Sequence, residues 1–184
     1  MSGRVTFPLE TPRLLLRPLD LGDVGEVHAL LVDPLVRRFL CDGQVLPEAR
    51  PRASVLRSRR LFLRSGVGLF RLDLREGGFV GYAGLQTAPI GGLELACALW
   101  PRHQARGLAE EGCRAVLAHA FDVAGISCVL AGADAPNVRS VRLVQRLGFR
   151  PLRNTPGVFG TIRWFALDRA DHGEALRAGR VPAR

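Results

Sequence analysis

Lysine is absent: all 26 basic side chains of this 184-residue chain are arginine. That removes Schiff-base lysine chemistry, lysine-anchored cofactors and the G-K-[ST] form of phosphate loop. The four cysteines, Cys41, Cys97, Cys113 and Cys128, show no C-x-x-C spacing, so no disulfide framework is expected. His28, His103, His119 and His172 form no H-E-x-x-H pattern and no cluster with the cysteines, so no structural or catalytic metal is expected either. No apolar run approaches the roughly 20 residues of a membrane helix and no secretory signal is recognisable, which makes a reducing cytoplasm the expected setting. Repeats, low-complexity linkers and composition breaks are lacking as well, so nothing calls for a second domain.

What remains is 47% hydrophobic and 23% charged residues, the balance of one globular domain over residues 1–184. Its core is expected over about residues 10–168, with a polar, frayed tail over 169–184. The excess of 26 basic over 17 acidic residues, +9, suits a polyanionic partner such as nucleic acid, acidic lipid or a phosphorylated cofactor. It equally suits a soluble surface written in arginine.

Leu14 to Leu16, between Arg13 and Arg17, read as a short strand that Pro18 closes. Asp20 or Asp23 can cap a helix from Val24 to Val32, and Asp33-Pro34 stops it and starts another toward Leu40. Pro47 to Ser65 reads as a helix with six arginines, at 50, 52, 57, 59, 60 and 64, and no acid among them. Between Gly68 and Leu99 the period changes to that of an antiparallel meander, with turns at Glu76-Gly77-Gly78 and Pro89 to Gly92. A helix from Leu108 to Ala124 ends at Gly125, Cys128 to Leu130 form a short buried strand, and Asn137 to Leu147 form a last helix stopped by Gly148. Phe149 to Arg153 and Ile162 to Leu167 are expected to pair around a loop from Asn154 to Gly160. The class is α/β: helices cover a mostly antiparallel mixed sheet.

The segment ELACALWPRHQARGLAEEG is a strand, a tight turn and a helix start. Successive N–H groups leaving a turn into a helix, with the helix dipole behind them, hold anions, and the small residues Gly107 and Ala109 admit a ligand to the backbone while Arg106 adds charge. A glycine in such a turn also occurs for its own sake. About thirty residues on, APNVRSVRLVQRLGF opens a helix at Asn137 and closes it at Gly148-Phe149.

Taken together these segments resemble the GNAT acetyltransferase superfamily, in particular the branch of the ribosomal-protein alanine N-acetyltransferases. QARGLA at 104–109 is similar to the family loop Q/R-x-x-G-x-G/A, TPRLLLRPLDLGD to its first strand and helix start, and DPLVRRFL to its second short helix. N-x-x-S-x-x-x-x-x-x-x-G-F at 137–149 is similar to its last helix, and the likeness runs from about Glu10 to Asp168. The resemblance implies a GNAT-type sheet with helices on both faces and acetyl-CoA as cosubstrate. It places the pyrophosphate on the amides of Gln104, Ala105, Arg106, Gly107, Leu108 and Ala109. The pantetheine arm would lie beside the strand ending at Leu99, pairing like an added strand, and Asn137 would be a further cofactor contact or simply an N-cap.

Acetyl transfer to an amine needs a neutral nucleophile, stabilisation of the carbonyl oxyanion and a proton for the thiolate. The resemblance makes Glu94 the candidate base, against its alternative as a solvated edge charge, and gives the carbonyl to a backbone N–H near Leu99. Many relatives place a proton-donating tyrosine seven residues after the asparagine; here that position is Val144, and the only tyrosine is Tyr82. Ser140 is the replacement that the branch suggests, against a serine bonding its own helix. By alternation Glu94, Ala96 and Ala98 share one strand face, while Leu95, Cys97 and Leu99 take the other. Ala105 stands where the branch has glycine and Cys97 where it has an aromatic residue. Cys97 is not expected to carry acetyl.

The acceptors that the resemblance implies are a protein or peptide N-terminus or a small amine. If the arginines of the Pro47 to Ser65 helix face the cleft they favour an acidic acceptor. Arg139, Arg142, Arg146, Arg150 and Arg153 could meet the cofactor's 3′-phosphate or RNA near a ribosomal target. No membrane partner is expected, nucleic acid only through such a target, and a homodimer is compatible by analogy. Two other readings stand beside the enzyme: a GNAT domain that binds acyl-CoA without turnover, and a basic RNA- or ribosome-docking module, which lacks an RNP or KH signature.

Overall fold

A computed structural model of the chain describes residues 7–172. Strands β1 (Leu9–Glu10) and β2 (Leu14–Pro18) form a hairpin, and β2 pairs with the meander β3 (Leu69–Leu74), β4 (Phe79–Thr87) and β5 (Leu93–Leu99). Strand β6 (Cys128–Asp134) joins β5 in parallel, and the hairpin β7 (Arg150–Gly157) and β8 (Gly160–Asp168) follows. The 8-stranded sheet has the order β1-β2-β3-β4-β5-β6-β8-β7 and only the β5–β6 contact is parallel, the mixed, mostly antiparallel arrangement expected.

Helices cover both faces because the strands alternate apolar side chains to each. On one face α4 (Leu108–Ala118) and α5 (Val138–Arg146) pack Cys113, Val116, Leu117, Val141 and Val144 against Leu14, Leu72, Val80 and Phe165. On the other, α1 (Val24–Val32), α2 (Pro34–Leu40) and α3 (Ala49–Ser65) bury Val27, Leu30, Val36 and Val55 with Leu69, Phe79, Tyr82 and Ala98. The helix starts obey local chemistry. Asp20 accepts from Gly22 N–H and Asp23 returns a bond to Asp20 N–H, closing a capping box around the short turn Leu21–Asp23. Asp33 accepts from the N–H groups of Leu35 and Val36 ahead of α2.

One buried carboxylate ties this helical layer to the sheet. Asp23, 3% exposed, accepts from Arg17 Nη2 at 2.6 Å, Arg71 Nη1 at 3.0 Å and Asp20 N–H at 2.9 Å. Arg71 also pairs with Glu26 and Asp73 and lies over the Phe79 ring, 4.4 Å from its centroid. Burial alone would raise the Asp23 pKa, but the bonds from Arg17 and the Asp20 amide outweigh it and hold the group below its ordinary value.

Four expectations on the chain's path change. The loop expected from Asn154 to Gly160 is mostly strand: β7 runs to Gly157 and only Val158 and Phe159 turn. Proline at 156 is tolerated because β7 is an edge strand, where its missing N–H leaves no rung open, and Trp164 Nε1 bonds Thr155 Oγ1 at 2.9 Å across the pair. The helix beginning at Leu108 leaves α geometry at Ala118 and finishes as a π turn, His119–Val123. Strand β6 extends beyond Leu130 to Asp134 because β8 pairs along its length. Residues 169–172 of the expected frayed tail are helical, and His172 stacks on Phe121 with centroids 4.8 Å apart; residues 173–184 lie outside the described region.

Candidate functional site

The sheet splits between β5 and β6. Their only register pair is Glu94 with Leu130, and beyond it the two strands part. The bonds Trp100 N–H to Val80 O and Ala88 N–H to Gly92 O, each 3.0 Å, fix which rungs of the β4–β5 ladder are closed. By alternation Cys97 and Leu99 turn their N–H and C=O groups away from β4, into the split. Gln104 Nε2 donates to the Leu99 carbonyl at 2.9 Å, which leaves the Leu99 N–H as the donor at the mouth. Close approach makes this geometry possible: a Cβ on Gly81, the β4 partner of Leu99, would stand 2.1 Å from the Ala98 carbonyl.

From Leu99 the chain passes through a short turn, Pro101–His103, and residues 104–107 into α4. Ala105 and Gly107 both take left-handed backbone, φ 56° and 78°, and flank Arg106 in the manner of an anion nest. Gly107 caps α4 without any side-chain acceptor, and the first helical bond is Glu111 N–H to Gly107 O. Among the described residues the N–H groups of Ala105, Arg106 and Gly107 donate to no protein acceptor, and those of the first turn, at Leu108 and Ala109, follow them. Five of the six expected loop residues, Ala105 to Ala109, therefore come together as a run of free donors; Gln104 is not one of them, because its N–H is already taken by the Pro101 carbonyl at 3.1 Å. Because Ala105 carries a Cβ in a conformation that glycine adopts freely, Ala105→Gly should raise the unfolding free energy by about 0.5–1 kcal/mol. Urea titration checks this, and an unchanged or lower midpoint would contradict the strain.

Glu94 lies at the apex of the split. With Ala96 and Ala98 it occupies the face covered by α1–α3, whereas Leu95, Cys97 and Leu99 pack toward α4, as alternation predicted. Gln86, its β4 partner, donates Nε2 to Glu94 Oε1 at 2.8 Å. Burial raises the Glu94 pKa and the Gln86 bond only partly offsets this, so the carboxylate is a stronger base than an exposed glutamate. Gln86 also walls a cavity of about 150 Å³ under α3, together with Ser54, Arg57, Leu69 and Thr87. Cys97 meets the Cys113 thiol on the opposite face; that contact and full burial hold Cys113 well above its ordinary pKa.

Across the split, Asn137 and Ser140 stand at the start of α5. The Asn137 side chain accepts from Ser140 N–H at 3.3 Å, so it serves as the N-cap, which leaves its Nδ2 free of that bond. Arg139 reaches toward the loop, with Nη1 3.5 Å from Gln104 Oε1. Val144 is buried in the core.

Several residues around the site escape sequence reasoning. Asp134 ends β6 on the Glu94 face, and burial together with the nearby Asp42 raises its pKa. Neither aspartate makes an ion pair among the described residues. The turn of the last hairpin meets α2 through Phe159 and Phe39, with ring centroids 5.4 Å apart. His103, in the turn after β5, has its pKa lowered by burial and by the charges of Arg102 and Arg106. Aspartates without partners in an arginine-rich chain would have been the clue to Asp42 and Asp134, but pairing is not visible in sequence. All six arginines of α3 are exposed, and none has an acidic partner among the described residues. Of the second set, Arg146 bonds Glu110 and Arg150 bonds Asp171. No group of three or more potential metal ligands occurs among the described residues, and no helix there is long and apolar enough to cross a membrane.

Comparison with solved structures finds the same fold repeatedly. A structure assigned to the GnaT acetyltransferase family from Bordetella pertussis is 26% identical, with TM-score 0.75, covering 88% of this chain and 99% of that one. Spermidine N-acetyltransferase from Vibrio cholerae, solved with CoA and spermine, is 16% identical with TM-score 0.73 over 88% of this chain and 99% of its own. RimL, a ribosomal L7/L12 alpha-N-protein acetyltransferase solved with coenzyme A, is 18% identical with TM-score 0.73 over 88% and 97%. At these identities the last two show shared fold alone. The family model for the acetyltransferase (GNAT) domain matches residues 13–150, from the β1–β2 turn to the start of β7 and across the whole split site. The chain is a member of the GNAT acetyltransferase family.

Proposed function

We propose that this protein transfers the acetyl group of acetyl-CoA directly to a primary amine, in one sequential step without a covalent acetyl-enzyme. The observation that carries this reading is the line of free main-chain donors that begins with Leu99 N–H in the split and continues from Ala105 into α4. Such donors, backed by the α4 dipole, fit a diphosphate, and the open edge of β5 fits an extended amide-bearing arm that pairs as a strand would. Acetyl-CoA, when bound, supplies the activated acyl group and a thiolate leaving group.

The chain's own groups supply the rest. Ala105, Arg106, Gly107, Leu108 and Ala109 present the phosphate-binding backbone, which Gln104 ties to the end of β5 through its side chain, with Arg139 beside them and Asn137 Nδ2 across the split. Leu99 N–H polarises the thioester carbonyl where negative charge develops. Glu94 takes the proton of the attacking ammonium or amine, directly or through water, and its raised pKa makes it a better proton acceptor than an exposed glutamate. Ser140 passes its hydroxyl proton toward the departing thiolate and regains one from the nitrogen, which sheds its remaining excess proton as it becomes an amide. Cys97, turned to the α4 face against Cys113, is on the wrong side of β5 to carry acetyl. Asp42 and Asp134 leave negative charge at the open end of the Glu94 face, which favours an amine that arrives as a cation.

The likeness of the sequence segments to the ribosomal-protein alanine acetyltransferases makes a protein α-amino group the first acceptor to try, ahead of small amines. The test is thiol release from acetyl-CoA with a panel of N-terminal peptides, diamines and amino sugars. At least one should drive stoichiometric release, and Ser140→Ala should lower kcat with that acceptor about 10-fold or more, in line with loss of a proton donor. Stabilisation by acetyl-CoA with no acceptor in a broad panel would instead favour a domain that binds acyl-CoA without turnover.

A further inference from the structure

We infer that Arg13 and Glu111 form a brace that aims the cofactor loop, an inference that rests on the acetyl-CoA reading of the site. Arg13 lies in the turn between β1 and β2, and Glu111 in the first turn of α4. The Arg13 guanidinium holds both the Glu111 carboxylate, with Nε and Nη2 each 2.6 Å from Oε2, and the loop itself, with Nη1 2.8 Å from the Arg106 carbonyl. Glu111 Oε1 is in turn held by Thr11 Oγ1 at 2.6 Å and by the Arg13 amide at 2.8 Å. These bonds keep the Glu111 pKa below its ordinary value although burial acts the other way.

Two consequences bear on anion binding. A trans peptide directs its C=O and N–H to opposite sides, so pinning the Arg106 carbonyl toward Arg13 turns the Gly107 N–H away from it, outward from the loop. Glu111 also places a negative charge beside donors that would hold phosphate, and the two-pronged contact with Arg13 neutralises it there. Fit is close on this side: a Cβ on Gly107 would stand 3.2 Å from Arg13 Nη2. Arg13 and Glu111 are positioning residues, since neither presents the donors themselves.

Arg13→Gln should raise the Kd for CoA and the KM for acetyl-CoA about 10-fold or more, while kcat at saturating acetyl-CoA falls less than threefold. Amide hydrogen exchange at Gly107 should quicken in the unliganded variant. Arg13→Lys restores the charge but cannot reach carboxylate and carbonyl together, so it should recover only part of the affinity. Half the Arg13 side chain is exposed, and the thermal unfolding midpoint of each variant, read alongside, separates loop effects from lost fold. Unchanged CoA affinity in a folded Arg13→Gln protein, or full recovery with lysine, would overturn the brace. Failure of the parent protein to bind CoA would overturn the function reading instead.

Discussion

Glu94→Gln should lower kcat about 10²- to 10³-fold, in the lower part of the range for loss of a general base, and should leave a protein more stable than the parent at neutral pH. The two effects have one origin. Glutamine keeps an oxygen for Gln86 Nε2 but removes a charge that burial disfavours. Because the folded-state pKa is raised, the carboxyl group contributes most to stability at acid pH, below its unfolded value. That contribution is lost as pH rises through the raised pKa. The stability advantage of the variant should therefore grow over that window and level off above it. In the parent, kcat/KM should climb along a limb whose pKa lies above the ordinary glutamate value of 4.5, and that limb should vanish in the variant. A kcat within threefold of the parent would make Glu94 an edge charge and nothing more.

Asp23→Ala should cost about 3–5 kcal/mol of folding stability, the range for removing one partner from a buried ion pair. That is a large part of the roughly 5–15 kcal/mol available to a domain. The alanine leaves Arg17 and Arg71 facing each other across the vacated carboxylate and strands the Asp20 N–H that closed the capping box. The pH dependence runs opposite to that of Glu94. The Asp23 pKa is held below 3.8, so its stabilisation is full above the unfolded value and is lost as pH falls through the depressed one. Urea titrations at pH 7 and pH 3 should show the gap between parent and variant narrowing in acid. A difference under 1 kcal/mol at pH 7 would show that the layer does not depend on this group. Both substitutions lie on the α1–α3 face of the sheet, one at the proposed base and the other in the architecture that holds α1 against the sheet.

Much of this architecture is written in local chemistry. Asp20 and Asp33 announce their helices, the Glu76 to Gly78 and Pro89 to Gly92 turns separate three strands, and the alternation from Glu94 to Leu99 correctly sorts those side chains between two faces. Glycine at 107 advertises a left-handed turn. Ala105 gives no such signal, and its φ of 56° emerges only from the closed loop. Asn154 to Gly157 carries turn residues that an edge strand accommodates, so local chemistry there points the wrong way. The contacts that complete the site join distant positions: Arg13 with Glu111, Gln86 with Glu94, Phe39 with Phe159, Asp42 near Asp134. Each depends on sheet order and register, and no periodicity or motif encodes them one at a time. The same is true of the parting of β5 from β6, since a strand that loses its partner looks in sequence like one that keeps it.

Amide hydrogen exchange during titration with CoA puts the central claim to its most direct test, because the claim concerns particular N–H groups. Leu99 and residues 105–109 should gain protection together, saturating at one CoA per chain, while amides of the β1–β3 sheet edge stay unchanged. Saturable binding that left those six amides exchanging as before, or no binding at millimolar CoA, would contradict it.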